Sequence, residues 1–248
     1  MRKGYLLFLL PLMSFVMLGD SSFKQEQLEY YRVYEAFKDK NPSALGKLNA
    51  AGINSTNYDL FLRAFKFEED LEVWAKNKED NEYTLLTTYK FCENVGELGP
   101  KRKEGDKQIP EGVYHISKFN PTSQYFLSLK INYPNISDRI LGDEYSPGGQ
   151  IFIHGGCSTI GCIPITDEWI KELYVLCVQA KNQGQEQIPV HIFPARLTNE
   201  NMNLLQSQFS SSKNRFWKQL KPAFDYFESK KELPKYLITE DGEYVFNH

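Results

Sequence analysis

The sequence lacks an excess of positive charge. Its 248 residues include 29 Lys and Arg against 32 Asp and Glu, which gives a formal net charge of −3. Proteins that bind nucleic acids neutralise phosphates with clustered cations, so we expect no nucleic-acid partner. Internal repeats and low-complexity segments are also absent. A chain of this length without repeats predicts one main domain with extensions at both ends.

The apolar run in residues 1–19 is shorter than a membrane span requires. Arg2 and Lys3 precede the run YLLFLLPLMSFVML at residues 5–18, and a spanning helix needs about 20 apolar residues. A basic start and a short apolar core are typical of a secretory signal peptide. We therefore expect export to the periplasm or cell envelope. Residues 17–20 have no clean cleavage pattern, so an uncleaved membrane anchor through residues 5–18 is the alternative.

The chemistry of the chain concentrates in residues 150–167, QIFIHGGCSTIGCIPITD. The apolar residues 151–153 predict a strand that leads into His154, and Gly155 and Gly156 let the backbone turn back after it. Gly161 and Cys162 follow before a second apolar run. A thiol and an imidazole thus stand at the two ends of one loop. An imidazole beside a cysteine can take its proton and produce a nucleophilic thiolate.

Other roles for these cysteines stay open at this point. Cys162 can be a buried core residue, or it can pair with Cys157 in a disulfide. A zinc site from His154, the two loop cysteines and Cys177 is a third alternative, but deaminase-type zinc sites need a Glu where Gly156 stands. We expect no metal and no cofactor. Gly161 directly before Cys162 favours a nucleophile, because it leaves backbone N–H groups accessible to an oxyanion.

The stretch IHGGCSTIGC resembles the catalytic signature of the L,D-transpeptidase (YkuD-type) family, in which a His precedes a Ser/Thr-x-Gly-Cys element. It is most similar to the YafK-type branch, where His and Cys lie close together in sequence. The similarity extends over residues 61–74, 96–114, 120–139, 190–198 and 216–217. It departs from the commoner family pattern at Ile160, where that pattern has a second His.

The resemblance implies an α+β protein whose mostly β catalytic domain has mixed sheets, and acyl chemistry on peptidoglycan stem peptides. Cys162 would be the nucleophile and His154 its base and then its acid. The backbone at Gly161 and Cys162 would bind the oxyanion, the Thr159 hydroxyl would brace the loop, and the Gly155 carbonyl would orient the imidazole. The branch is associated with detaching an envelope lipoprotein from peptidoglycan. Transfer and hydrolysis both remain open.

The domain organisation follows from composition and periodicity. After residues 1–19, residues 20–56 are predicted to form a helical extension that breaks at Asn41-Pro42. Residues 57–198 are predicted to form the catalytic domain. Residues 199–248 are predicted to form helices interrupted at Pro222 and a terminal hairpin. Strands are predicted at 83–91, 112–117, 125–131, 151–154 and 188–193. A helix is predicted to begin with Thr166 or Asp167 as its N-cap.

Substrate contacts are predicted in the long loop 132–149, at Tyr133, Arg139 and Tyr145, with Arg139 holding a stem-peptide carboxylate. The alternative is that these residues only fix the loop. His191 either supports the site or is a structural histidine.

A second class of function is a non-catalytic envelope module. Such a protein would bind peptidoglycan through the basic loop at residues 101–103, and Cys157 and Cys162 would form a disulfide.

Overall fold

The computed structural model describes residues 22–247. The predicted signal peptide or anchor in residues 1–19 lies outside this range. Within it, no helix combines the length and apolar character needed to cross a membrane.

The described chain forms a large mixed sheet with helices on both faces. Eight strands pair in the order β3-β2-β1-β8-β4-β5-β6-β7; their bounds are β1 Tyr58–Phe65, β2 Asp70–Asn77, β3 Thr84–Lys90, β4 Gly112–Asn120, β5 Ser128–Ile131, β6 Phe152–His154, β7 Ile163–Pro164 and β8 Pro189–Phe193. β1 and β8 are parallel, as are β6 and β7, and the other pairs are antiparallel. The predicted α+β class with a mixed sheet is confirmed.

Six helices and a small hairpin complete the fold of residues 22–247. The helices are α1 Phe23–Leu28, α2 Tyr31–Ala50, α3 Ile136–Leu141, α4 Thr166–Asn182, α5 Asn199–Gln208 and α6 Ser211–Lys230, and the hairpin is β9 Lys235–Ile238 with β10 Tyr244–Asn247. The predicted hairpin thus forms across Asp241 and Gly242. α3 occupies the middle of the segment that the sequence predicted to be a loop.

Strand β1 shows why the sheet is covered on both faces. Leu60, Leu62 and Ala64 pack with the core residues of α4. Phe61 and Phe65 point to the other face and contact aromatic side chains of α6. Side chains alternate between the faces of a strand, so a strand that is apolar at nearly every position lies between two helical layers.

The two predicted proline breaks are wrong. α2 continues through Pro42 and α6 through Pro222. In α2, apolar side chains are buried on both sides of the proline: Val33, Ala36, Phe37, Ala44 and Leu48. An interior proline costs about 3 kcal/mol, whereas each large buried side chain contributes about 1.5–3 kcal/mol. Packing of α2 against α4 therefore outweighs the lost hydrogen bond.

The predicted cap of α4 is also wrong. Ile165 is the N-cap and makes no side-chain hydrogen bond to the helix. The Asp167 carboxylate instead accepts a hydrogen bond from the Gly156 N–H at 2.8 Å. The start of α4 is thereby tied to the glycine loop after His154.

A buried ion pair anchors the glycine-rich segment 96–111 to the sheet. The Lys66 ammonium lies 3.0 Å from the Glu111 carboxylate, and both side chains are buried. Lys66 also donates to the carbonyls of Gly99 and Ile109. Glu111 accepts hydrogen bonds from the Gly99 N–H and the Trp217 indole, each at 2.7 Å. Burial lowers the pKa of Lys66, and Glu111 opposes that shift.

We expect Glu111→Gln to lower the free energy of unfolding by about 3–5 kcal/mol, because it leaves the Lys66 ammonium buried without a counter-charge. Urea denaturation followed by circular dichroism measures the change. The matched control is Glu97→Gln in the same segment, whose carboxylate is exposed and 3.4 Å from Lys213; it should cost less than about 1 kcal/mol. Equal midpoints for the two variants would show that the buried pair does not anchor the segment.

Candidate active site

Strands β6 and β7 place His154 and Cys162 beside one cavity. Ile153 pairs with Ile163 in the parallel register, and both are fully buried in the core. Side-chain alternation then directs Phe152 and His154 to the opposite face. There they line a cavity of about 330 Å³, called here the His–Cys cavity, whose other walls come from residues 120–128, Gln150 and residues 158–162. Cys162 lies in the last of these walls.

His154 has one nitrogen engaged and one free. Its Nδ1 lies 2.5 Å from the Gly155 carbonyl oxygen, which is the contact expected from the sequence. A carbonyl oxygen only accepts, so Nδ1 carries the proton and Nε2 presents its lone pair. Nε2 is buried and has no hydrogen-bond partner among residues 22–247. It is therefore the atom available to take a proton.

Gly155 has no room for a side chain. A Cβ there would lie 2.5 Å from the Asp167 carboxylate and 2.8 Å from the Tyr125 carbonyl oxygen. Gly161 has φ of +128°, and its Cβ would lie 2.8 Å from the Gln108 carbonyl oxygen. Glycine is thus required at both ends of the loop, and the anchored segment 96–111 supports the end next to Cys162.

The Thr159 hydroxyl closes the loop on itself. It accepts hydrogen bonds from the N–H groups of Gly161 at 3.1 Å and Cys162 at 2.8 Å, and it donates to the Cys162 carbonyl at 3.0 Å. The bracing contact predicted for Thr159 is therefore present. Both N–H groups predicted as oxyanion donors, at Gly161 and Cys162, have the Thr159 hydroxyl as their acceptor in this geometry.

The cysteine pairing expected in the non-catalytic alternative is wrong. Cys157 forms a disulfide with Cys92, and Cys162 is a free thiol. Cys92 follows β3, at one edge of the sheet, and its N–H donates to the carbonyl of Pro164 in β7, at the other edge. The sheet curls until its edges meet, and this brings together cysteines 65 positions apart. Cys177 is buried in α4.

Burial favours the neutral forms of both candidate catalytic groups. It lowers the pKa of His154, although the hydrogen bond to Gly155 opposes the shift. It raises the pKa of the Cys162 thiol, against the lowering effects of the Phe152 backbone and the Lys101 charge. The sequence suggested that the imidazole produces a resting thiolate, but a neutral thiol beside a neutral imidazole is what this environment favours.

Two residues of the site were not predicted from the sequence. The Tyr125 ring stacks on the His154 imidazole, with centroids 4.4 Å apart. Arg32 of α2 donates to the carbonyls of Ser123 and Phe126 at 2.6 and 2.9 Å, and so holds the segment that carries Tyr125. No sequence signal connects Arg32 to a segment some 90 positions away. Tyr125 was expected in a strand, but β5 begins only at Ser128.

Comparison with known proteins decides the family. The family model of the L,D-transpeptidase catalytic domain, YkuD, matches residues 70–192. The Escherichia coli (strain K12) protein named "Putative L,D-transpeptidase YafK" is 37% identical over 188 residues, which cover 75% of this chain and 73% of that protein. The chain belongs to the YkuD family. The O157:H7 strain has a protein of the same name at the same identity and coverage.

Solved structures resemble this YkuD protein more distantly. The helical cell shape determining protein Pgp2 from Campylobacter jejuni is 18% identical with a TM-score of 0.44, over 79% of this chain and 80% of that one. Bd1075 of Bdellovibrio bacteriovorus is 18% identical with a TM-score of 0.39, over 73% and 77%. These similarities add nothing to the family assignment, which depends on the sequence matches.

The substrate contacts predicted for this YkuD protein lie outside the His–Cys cavity. Tyr133 is buried, and its hydroxyl donates to the Pro147 carbonyl at 2.7 Å, so it fixes the chain locally. Arg139 on α3 and Tyr145 are exposed, but neither lines the cavity. The wall next to His154 comes from residues 120–128, from the end of β4 to the start of β5. In the described chain no residue of the segment 132–149 lines the cavity, so a substrate contact from this segment stays a prediction.

His191 and Lys101 of the basic loop make structural contacts. His191 is buried against Phe61, and burial lowers its pKa to about 3. The Lys101 ammonium is buried and lies 2.6 Å from Asp106. A larger cavity of about 570 Å³ at the N-terminal end of α6 contains neither His154 nor Cys162, so the size of a cavity does not locate the YkuD site.

We expect the rate of Cys162 alkylation to rise with pH and to reach its midpoint above pH 8.5, roughly the pKa of an ordinary cysteine, because burial disfavours the thiolate. Iodoacetamide labelling against pH reports on this thiol alone, since Cys177 is buried and the other two cysteines are paired. His154→Gln should leave the midpoint nearly unchanged. A wild-type midpoint well below that of the variant would instead indicate a resting thiolate–imidazolium pair.

Thr159→Val should lower the free energy of unfolding by about 1–3 kcal/mol, because two backbone N–H groups lose their acceptor. Thr159→Ser keeps the hydroxyl and is the matched control, with a much smaller expected change. Urea denaturation measures both. If valine proves as stable as serine, the hydroxyl does not brace the loop.

Proposed function

We propose that this protein is a cysteine-dependent enzyme that cleaves or transfers acyl groups of peptidoglycan stem peptides in cell-wall remodelling. Membership of the YkuD family indicates a function connected with peptidoglycan. The observation that carries the catalytic proposal is the free Cys162 thiol in the same cavity as a buried His154 Nε2 without a partner. A proton acceptor and a thiol thus line one cavity.

The reaction starts from the neutral pair. The Cys162 sulfur attacks the carbonyl carbon of the stem peptide while His154 Nε2 takes the thiol proton. The imidazolium then gives this proton to the leaving amine, and an acyl-enzyme remains. Water or a second amine attacks the thioester while His154 accepts its proton, and the C–S bond then breaks as the imidazolium returns this proton to the Cys162 sulfur. The Gly155 carbonyl keeps the imidazole oriented in both halves of the reaction.

Oxyanion stabilisation requires a small change in the loop. The N–H groups of Gly161 and Cys162 flank the nucleophile but point to the Thr159 hydroxyl. A developing negative charge is a stronger acceptor than a hydroxyl oxygen. Rotation of Thr159 away from these groups would release both donors for the tetrahedral intermediate.

The location follows from the chemistry of the substrate and the cysteines. Peptidoglycan lies outside the cytoplasmic membrane. A disulfide such as Cys92–Cys157 persists in oxidising compartments. Export to the periplasm or cell envelope is therefore part of the proposal. An envelope lipoprotein joined to peptidoglycan is the candidate substrate for the hydrolytic version of the reaction.

The non-catalytic alternative has little structural support. It required a Cys157–Cys162 disulfide, but Cys157 pairs with Cys92. It also required free cations at residues 101–103, but Lys101 is paired with Asp106 and Arg102 packs over Phe216, which leaves Lys103 as the one exposed cation of these three.

Incubation of purified protein with muropeptides, followed by mass analysis, tests the proposal. Wild-type protein should shorten or crosslink the stems, and Cys162→Ala should lose at least about a thousandfold in rate. The disulfide-free variant Cys92→Ser with Cys157→Ser is the matched control and should retain turnover, because it leaves the nucleophile in place. Substantial turnover by Cys162→Ala would refute the assignment.

The pH dependence gives a second readout of the same experiment. His154 must be neutral to accept the proton, and burial lowers its pKa. Activity should therefore persist as pH falls below about 6.5, the ordinary histidine value, and decline only at lower pH. An acid limb of kcat/KM centred well above this value would contradict the role of His154 as base.

A further inference from the structure

Two lysines lie on the same face of the sheet as the candidate catalytic groups. Strand pairing aligns Asn120 of β4 with Ser128 of β5 and His154 of β6 in one row. The next row aligns Lys118, Lys130 and Phe152 on the same three strands. Directly opposed residues project from the same face of a sheet, and residues two apart on a strand share that face. Lys118 and Lys130 therefore face the same side as His154.

Cys162 continues the lysine row. Ile153 and Ile163 are partners in the parallel pair β6–β7, so the residues before them, Phe152 and Cys162, are neighbours. Strand pairing therefore places Cys162, Phe152, Lys130 and Lys118 side by side, in that order, on four neighbouring chain segments. Neighbouring strands lie about 4.8 Å apart, which places Lys130 roughly 10 Å from the nucleophile along the sheet.

The lysine pair is an unusual local arrangement. Like charges directly opposite each other in a sheet are destabilising. Other cations such as Arg63, Lys66 and Lys101 have carboxylate partners. Within the described residues 22–247, neither the Lys118 nor the Lys130 ammonium has a hydrogen bond or an ion pair. The His–Cys cavity itself has no charged residue in its lining apart from the titratable His154 and Cys162.

We propose that Lys118 and Lys130 form a carboxylate-binding subsite for the substrate of this active site. The inference rests on the proposed function and names the part of the stem peptide that the protein would recognise. Stem peptides carry free carboxylates several bonds away from the amide that is attacked. Such a carboxylate can lie over β5 and β4 while its carbonyl carbon reaches Cys162. Binding the anion relieves the repulsion between the two ammonium groups.

This subsite replaces the carboxylate contact predicted at Arg139. Arg139 lies on α3 and does not line the cavity, whereas the lysines are two and three strands from Cys162 on the sheet face that carries it. The lysines specify substrate and need not touch the reacting atoms. They should therefore affect affinity and KM much more than kcat.

Calorimetric titration tests the subsite without turnover. The full chain with Cys162→Ala is titrated with a soluble disaccharide tetrapeptide that has free carboxylates, and with its carboxamide analogue. The free acid should bind at least about 10-fold more tightly than the amide. Adding Lys118→Gln and Lys130→Gln should remove this difference and leave amide binding unchanged. Lys218→Gln, an exposed lysine on α6, is the matched control and should retain the difference.

A second variant separates recognition from stability. Lys130→Glu places opposite charges across β4 and β5, so the melting temperature should stay the same or rise while preference for the free acid is lost. A purely structural role for the lysines would give the opposite result, with lower stability and unchanged preference. Equal affinity of the starting protein for acid and amide, or no measurable binding of either, would overturn the subsite.

Steady-state kinetics distinguish failure of the subsite from failure of the proposed function. If the protein turns over substrate and its KM is the same after Lys118→Gln and Lys130→Gln, the subsite is refuted and the enzyme assignment stands. If wild-type protein binds the free acid through the two lysines but never turns it over, the subsite stands and the catalytic proposal is refuted.

Discussion

The buried Glu111 carboxylate connects the parts of the molecule on which the candidate site depends. It binds Lys66 at the end of β1, the backbone of Gly99 and the indole of Trp217 in α6. These contacts hold segment 96–111 against the sheet. The same segment supplies the Gln108 carbonyl that packs directly on Gly161. A charge buried far from Cys162 in sequence thus limits where the cysteine loop can lie.

The N-terminal extension belongs to the same functional unit. The family match begins at residue 70, yet Arg32 in α2 holds the carbonyls of Ser123 and Phe126. Between those two residues stands Tyr125, whose ring covers His154. The wall that confines the imidazole is therefore positioned by a helix outside the matched region. This arrangement gives the extension a role in the geometry of the site as well as in the core.

The electrostatics of the site suit a reaction in which proton transfer accompanies attack. Burial disfavours charge on both Cys162 and His154, and the free Nε2 lone pair is available when substrate enters. A resting thiolate would be open to oxidation in the oxidising compartment proposed for this protein. In the proposed reaction a neutral thiol is the safer resting state, because the thiolate would form only with substrate in place.

Local patterns predicted much of the fold and the chemical centre of the site. Strand periodicity located β3, β4, β6 and β8 closely, and the glycines around His154 and Cys162 indicated a loop that joins the imidazole and the thiol. The contact between His154 and the Gly155 carbonyl was also predictable, since the two residues are adjacent. The proline breaks were wrong because apolar burial on both sides of Pro42 and Pro222 exceeds the local cost of proline.

The sequence by itself determined the candidate reactive groups and the loop that joins them, because their chemistry and spacing are local. Tertiary structure alone decided which cysteine Cys157 joins, because Cys92 reaches it only after the sheet curls edge to edge. It also decided which residues surround the imidazole and which cations share its face. Those neighbours come from strands and helices distant in sequence, and their proximity depends on strand order and register.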